Sequence, residues 1–373
     1  MRDAHDITSA GHLGIEKTFD RVKREYYWRG MYHDVYEYVR ACDTCQRYKI
    51  DQTGPRGLMG RRVIERPWAV IACDLMEFPL SKSQNKYLIV FVDLFTRWVE
   101  LKPVRRATGK AVASALEELV LFRWETPDFL ICDNGKEQVN KDVTAVLDAY
   151  GIRQVTTAPY TPRMNPTERA NRTLRTMIAA YVGANHRDWD KHLHELRHAI
   201  NTAVQSSIRV SPAFLNYGRH PRPVKSLRRE VEAPTVEYWE VDETVWLERL
   251  SRLDAIRDLV KLHLDRAHAR QARHYNRGRK DVRFAEGDIV MRRTHHLSVG
   301  SDGFNKKLGS RYEGPVKVLK VLSPSVYVVE TPNDKRVAKV DVDDLKRYMQ
   351  PRKTDTHIAC AEFTIMSSGS ESE

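Results

Sequence analysis

One carboxylate inside a strand-length apolar run constrains the fold of this chain more than any other feature. In WAVIACDLMEF the residues Ala69 to Cys73 read as a buried strand, and Asp74 interrupts it. Strand interiors are depleted of Asp, and a desolvated carboxylate is costly unless something offsets its charge. A related pattern occurs in DFLICDNG, where Phe129 to Cys132 is apolar and Asp133-Asn134-Gly135 supplies turn chemistry at the strand end. Taken alone, Asp133 reads as an ordinary turn former. A third carboxylate, Glu168, lies in TAPYTPRMNPTERANRTLR behind a loop that Pro159, Pro162 and Pro166 stiffen. Pro166 suits a first helical turn behind an Asn165 cap, which puts Glu168 at the helix start. Taken alone, it reads as a glutamate stabilised by the helix dipole. Beyond it, Leu174, Ile178 and Tyr181 form an expected buried stripe, while Glu168, Arg172, Arg175 and Ala179 mark another face. Three carboxylates gathered in one place need a cation, and all-oxygen ligands suit magnesium or manganese.

The 373 residues are too many for one ordinary domain and suggest two or three. A net charge of +12 favours a polyanionic partner, although charge alone does not separate nucleic acid from an anionic membrane. Membrane spanning is not expected, because the longest apolar runs, such as Tyr87 to Val92, are strand-length and no signal-peptide pattern opens the chain. An intracellular protein is therefore expected. Five cysteines, Cys42, Cys45, Cys73, Cys132 and Cys360, are an odd and sparse set that points to metal binding rather than disulfides.

Two of them belong to a paired arrangement: His5 and His12 flank six residues, and after 29 more Cys42 and Cys45 flank two. Between the pairs, Ile15, Phe19 and Val22, then Met31, Val35 and Tyr38, have helical spacing. Two thiolates and two imidazoles suit a tetrahedral zinc, and a fragment of roughly 45 residues has too little core to fold without such a staple. Next, Asp51 to Arg66, with four arginines and no apolar period, reads as a linker across a phosphate backbone. The pattern then gives strands at Val70 to Leu75, Tyr87 to Asp93, Arg97 to Leu101, Phe129 to Cys132 and Arg153 to Thr157. Helices are expected at Thr108 to Phe122, Val139 to Tyr150 and Trp189 to Ala203, the last packing through Trp189, Leu193, Leu196, Ile200 and Ala203. This alternation predicts a mixed sheet covered by helices. A charged helix is expected over Tyr238 to Ala272, with Leu250, Leu253, Ile256, Leu259, Val260 and Leu264 as its stripe. Arg266, Arg270, Arg273 and Arg277 form one basic face suited to phosphate contact. From Phe284 short strands with glycine and proline turns predict a small β-barrel, and the tail from Lys353 is expected to be disordered.

These residues carry a resemblance. Asp74, Asp133 and Glu168 resemble the D,D,E triad of retroviral and retrotransposon integrases, and the gypsy-type retrotransposons match best. The likeness runs through KYLIVFVDLFTRWVELKPV, CDNGKEQVNK, GIRQVTTAPYTPRMNPTERANRTLRTMI, SPAFLNYGRHPR and RYEGPVKVLKVLSPSVYVVE. It implies an α/β multidomain chain. An HHCC zinc-binding domain would occupy residues 1–55, an RNase H-like catalytic core 56–225, a basic helical linker 226–280, a small SH3-like barrel of the GPY/F type 281–350, and a tail 351–373. It further implies a structural zinc on His5, His12, Cys42 and Cys45, and two magnesium or manganese ions on the triad. Asn165, Asn171, Arg172 and Arg175 would line the DNA end. The implied activity is trimming and joining of retroelement DNA 3′ ends to target double-stranded DNA, by a homo-oligomer, in the nucleus after cytoplasmic passage. The alternative is a catalytically silent, host-captured DNA- or chromatin-binding protein that keeps the fold; a plain RNase H-like nuclease is weakened by the zinc module and barrel. Some positions depart from the family pattern. Gln138 stands where Phe is usual, Thr161 where His is, Arg163 where Gln is, and Val316 replaces the aromatic of the GPY/F module. The 34 residues between Asp133 and Glu168 are one short of the commonest spacing, and the lead-in before His5 is brief.

Overall fold

The computed structural model describes residues 1–60, 64–158, 167–182, 185–221, 243–296, 298, 305–330 and 337–350. Pro159, Thr161, Pro162, Arg163, Asn165, Pro166, Arg61, Arg62 and the expected tail therefore lie outside the described residues. The chain divides into two compact units, one made of Met1–Leu58 with the chain from Gly278 on, the other of Met59–Arg277.

The first unit opens with four short helices: α1 (Arg2–His5), α2 (Ile15–Lys23), α3 (Met31–Ala41) and α4 (Asp43–Tyr48). Val22, Met31, Val35 and Val39 are its buried apolar centre, with Ile15, Phe19 and Trp28 packed around them. The expected helical spacing is thus observed, with Val39 rather than Tyr38 completing the α3 stripe. So few buried side chains supply little hydrophobic stabilisation for the length of chain ordered. The same unit continues in a five-stranded antiparallel sheet of β6 (Ile289–Arg293), β7 (Tyr312–Ser323), β8 (Val326–Glu330), β9 (Val337–Asp341) and β10 (Leu345–Arg347), ordered β10-β6-β7-β8-β9. Hydrogen bonding leaves β9 and β10 as its edges. Val316 lies in the apolar core of this sheet with Val290, Val318, Tyr327 and Val329, so its smaller side chain is a packing residue here. Helix α4 is tied to the sheet: Arg47 donates to the Gly314 carbonyl at 2.7 Å, and Gln46 exchanges hydrogen bonds with the Met349 backbone at 2.9 Å each.

The linker expectation needs correction at Arg56. The residue is only 8% exposed and its guanidinium is held by Asp51, Thr53 and the Leu345 carbonyl, so it is a buried tie within this unit, not a phosphate contact. Arg66 likewise pairs with Glu125 and with Asp128 at 2.9 Å.

The second unit is built on a mixed sheet of β1 (Val70–Glu77), β2 (Tyr87–Asp93), β3 (Val99–Val104), β4 (Phe129–Cys132) and β5 (Arg153–Thr156), ordered β3-β2-β1-β4-β5. β1, β2 and β3 pair antiparallel, whereas β4 and β5 run parallel to β1. Directions and order fit the expected RNase H-like core. One face is covered by α5 (Gly109–Leu116), which runs on into a π-helical turn (Glu117–Leu121), and by α6 (Lys141–Ala149). Thr108 and Asn140 cap these helices by accepting from the Ala111 and Val143 amides. The other face is covered by α7 (Glu168–Val182) and α8 (Leu193–Thr202). Trp189 precedes α8 instead of opening it, yet it is buried with Leu193, Leu196 and Ile200 as the periodicity predicts.

On α7 the stripe is shorter than expected. Leu174 and Ile178 are buried, but Tyr181 is 70% exposed, and the stripe begins instead with Asn171. After α9 (Pro212–Tyr217), α10 (Glu243–Asn276) packs Ile256, Val260 and Leu264 against Phe95, Ile208 and Leu215. Leu250 and Leu259, expected in this stripe, are exposed; Leu259 turns away from the face that carries Ile256, Val260 and Leu264.

Candidate active site and metal centre

Parallel pairing of β1 with β4 sets Ala72 against Ile131. Two residues further along come Asp74, inside β1, and Asp133, just past the end of β4, and the Asp133 charge acts on the Asp74 carboxyl. Side chains alternate faces along a strand. Ala72, Met76 and Ile131 all face the α7 side, which directs Asp74 and Asp133 there too. Helix α7 meets them with its first turn: Asn171 Nδ2 donates to Asp74 Oδ2. Glu168 is the first residue of α7 and lies three positions before Asn171, hence on the same side of the helix. Sheet register and helix packing thus bring Asp74 and Asp133 together under Asn171, with Glu168 at the start of the same helix.

The electrostatics report crowded negative charge. The Asp74 carboxyl is pushed up to about 6, chiefly by burial and also by the adjacent Asp133 charge, against the opposing hydrogen bonds from the Leu75 amide and Asn171 and the Arg175 charge. Burial likewise drives the Cys73 thiol well up, aided by Cys132, Asp74, Asp133 and Glu137. Glu137 is a neighbour that the sequence pattern does not mark. A Cβ at Gly135 would collide with Glu137 Oε1 and stand 3.0 Å from Asp133 Oδ1, so the glycine lets the two carboxylates close over the turn. Only the DNG turn stands out in the sequence; nothing signals the glutamate beyond it. Asp133 is fixed by the Gly135 amide, which donates to Oδ1 at 2.9 Å, and Asn134 donates to the Thr157 carbonyl at 2.6 Å. Glu168 instead pairs with exposed Arg172 at 3.2 Å. The donor set is all oxygen and under-compensated, which suits a hard divalent cation. Its carboxylate oxygens stay further apart than a closed metal cage: among the described residues the one group of His, Cys, Asp or Glu whose ligand atoms all lie within 4.8 Å of one another is elsewhere.

That group is His5, His12, Cys42 and Cys45. Cys45 Sγ lies 3.3 Å from His5 Nε2, and Cys42 Sγ lies 3.4 Å from His12 Nδ1. Tetrahedral bonds of zinc to nitrogen and sulfur give N···S edges of about 3.5 Å. Thr18 Oγ1 meets His5 Nδ1 at 3.2 Å, which orients the ring so that Nε2 faces the thiols. Burial, helped by His12, lowers the His5 pKa, which favours the neutral imidazole that a metal requires. Burial raises the Cys45 thiol, a proton that a bound metal would displace.

Of the expected DNA contacts, Arg172 and Arg175 are exposed on α7, Asn171 is buried against Asp74, and Asn165 lies outside the described residues. Arg266, Arg270 and Arg273 share one exposed side of α10, whereas Arg277 falls just past its end.

Residues 1–51 match the integrase zinc binding domain family, and residues 65–162 match the integrase core domain family. The chain thus contains segments that match both an integrase zinc-binding domain and an integrase core domain. The core match contains Asp74 and Asp133 and stops short of Glu168. Gypsy retrotransposon integrase-like protein 1 of Bos taurus is 27% identical over 265 residues, 70% of this chain and 50% of that protein. The retrovirus-related Pol polyprotein from transposon 412 of Drosophila melanogaster is 26% identical over 346 residues, 92% of this chain and 27% of the polyprotein. The integrase-like chain thus spans half or less of the length of these relatives. A chain of the simian T-cell lymphotropic virus intasome, solved in complex with PP2A regulatory subunit B56 gamma, superposes with a TM-score of 0.56 at 17% identity. The match covers 93% of this chain and 99% of that one, and at such identity it speaks for the fold alone.

Proposed function

We propose that this chain is an integrase that trims the 3′ ends of retroelement DNA and joins them to target DNA in the nucleus, as a homo-oligomer. The observation that carries this reading is the shared register of Asp74 and Asp133 on the face where α7 presents Glu168 and Asn171. Asp74, Asp133 and Glu168 would hold two magnesium or manganese ions, which activate the attacking oxygen and stabilise the leaving 3′-oxygen of an in-line displacement. In trimming, a water oxygen attacks phosphorus and the P–O3′ bond breaks; in joining, the freed 3′-hydroxyl attacks a target phosphodiester. One P–O bond forms for each that breaks, so no nucleotide cofactor is required. Asn171 holds Asp74 in orientation, and Arg172, exposed beside Glu168, would be available to DNA phosphate when the carboxylate holds a metal. In the first unit His5, His12, Cys42 and Cys45 would bind one structural zinc.

Magnesium- or manganese-dependent joining of a labelled duplex end to plasmid tests this, using the terminal sequence of the element from which the chain comes. Asp74→Asn, Asp133→Asn and Glu168→Gln should each abolish joining while DNA binding and zinc content stay unchanged. Joining that survives Glu168→Gln would show that the glutamate is only a helix-start residue. One observation favours the alternative, a silent host-captured DNA- or chromatin-binding protein: Gln138, 2% exposed beside the Asp133 turn, has no partner for either side-chain amide atom among the described residues. A wild-type chain that binds DNA well but joins nothing decides for that alternative.

A further inference from the structure

The basic face of α10 has an opposite wall that the sequence did not show. Ser206, Ser207 and Arg209, from the loop after α8, close with His263, Arg266, Arg270 and Arg273 around a cavity of about 290 Å³. The loop is well anchored: Ile208 is fully buried against Val260 and Leu264, and the His263 ring donates from Nδ1 to the Ile208 carbonyl at 3.3 Å. Arg209 follows with φ 63°, a left-handed conformation that few non-glycine residues adopt, and its amide donates to the Gln205 carbonyl at 2.7 Å.

The pairing of charges along α10 changes where the cavity begins. Ahead of it, Arg252 pairs with Glu248, Arg257 with Asp254 and Lys261 with Asp258. Along the cavity Arg266, Arg270 and Arg273 have no carboxylate partner among the described residues, and Arg209 brings a fourth cation towards them. Like charges one helical turn apart repel and destabilise the helix, so this end is built to receive an anion. Guanidinium forks and hydroxyls match phosphate oxygens, and the small volume suits one phosphate with its sugar neighbours rather than a large ligand.

We infer that Arg209, Ser206 and Ser207 with Arg266, Arg270 and Arg273 form a pocket that grips a single phosphate of a DNA backbone. The inference rests on the DNA-handling reading above and adds a contact on the core unit itself, well beyond the carboxylates in sequence. Binding of a labelled duplex to the full zinc-loaded chain without magnesium, measured across salt concentrations, provides the test. Arg209→Asn, chosen because Asn tolerates the left-handed backbone, should shallow the slope of log affinity against log salt by about 0.9, one phosphate contact. Arg270→Gln should do the same, and the double variant should lose no more than either, since both hold one phosphate. Arg209→Lys should retain the slope, Arg252→Gln should leave it untouched, and thermal melting checks that each variant is folded.

An unchanged slope in folded Arg209→Asn overturns the pocket, and so do additive slope losses in the double variant. If inorganic phosphate raises the melting temperature of the wild type but not of Arg209→Asn, while the DNA slope is unchanged, the site serves free phosphate and the backbone assignment fails. A chain that binds duplex through this pocket but joins no strands overturns the catalytic reading alone.

Discussion

Asp74 carries a charge that the fold disfavours. Its carboxyl is raised from 3.8 to about 6, chiefly by burial. The folded chain therefore holds this proton more tightly than the unfolded chain does, and the associated stability, present below about pH 4, is lost as pH rises through 6. The span corresponds to about 2–3 kcal/mol at neutral pH. Asp74→Asn should consequently stabilise the magnesium-free chain at pH 7 by that order, with the advantage shrinking towards pH 5; urea unfolding at both pH values measures it. Added magnesium should stabilise the wild type and not the variant, and weakly so below pH 6, where the proton competes with the metal. A variant no more stable than wild type at pH 7 would show that the carboxylate is satisfied without metal. Gln138 poses the neutral version of the same problem. Its buried amide has no partner for either atom among the described residues, so Gln138→Met, which keeps the length and removes the polar atoms, should raise stability by about 1–3 kcal/mol. A fall in melting temperature would point to a partner that the amide acquires only with DNA or metal.

Helix α7 shows which parts of the architecture are legible in the sequence. Period 3.6 locates the helix, and proline chemistry locates its start at Glu168, because both depend on neighbours in sequence. The end of the stripe differs: Tyr181 has a permitted spacing but is 70% exposed, and Val182 one position on packs against the core instead. Leu174→Ala should thus cost about 2–5 kcal/mol and Tyr181→Ala less than about 0.5 in chemical denaturation. Equal effects would contradict the packing described. Strand existence is equally legible from apolar runs, but the pairing that sets Asp74 beside Asp133 is non-local and comes only through family likeness. Glu137, Arg209 and the buried role of Arg56 are not legible, because each depends on a partner distant in sequence or on a turn that reorients it. The ion-pair core of β3 is hidden for the same reason. Glu100, with a side chain 1% exposed, is held by Arg197 from α8 at 2.6 Å and Arg123 at 3.3 Å. Removing one partner strands much of a buried charge, so Arg197→Met should destabilise by up to about 3–5 kcal/mol.

The proposed zinc would couple metal and fold across the first unit as a whole. Its helical part buries too few apolar side chains to stand alone, and its proposed zinc ligands come from both ends of that segment, His5 and His12 on one side and Cys42 and Cys45 on the other. Removing the ion would leave buried His5 and Cys45 and half-buried His12 and Cys42 with no common centre, and α4, which carries Cys45, would lose its anchor. The effect should not stop there. Arg47 accepts from the Arg311 amide at 2.9 Å through its carbonyl and donates to Gly314, while Gln46 Oε1 accepts from the Met349 amide. Stripping zinc with a chelator, then measuring hydrogen exchange on the full chain, should therefore expose amides throughout residues 2–48 and also those of Arg311 and Met349. The buried strands β1, β2 and β4 should keep their protection, since their hydrogen bonds and both covering layers lie within the other unit. Cys42 and Cys45 should become reactive towards a thiol reagent in the same experiment, and readdition of zinc should reverse both changes. Protection of residues 2–48 that survives in chain shown to be zinc-free would mean that α2 and α3 hold the module without metal, and the proposed structural zinc would have no structural role.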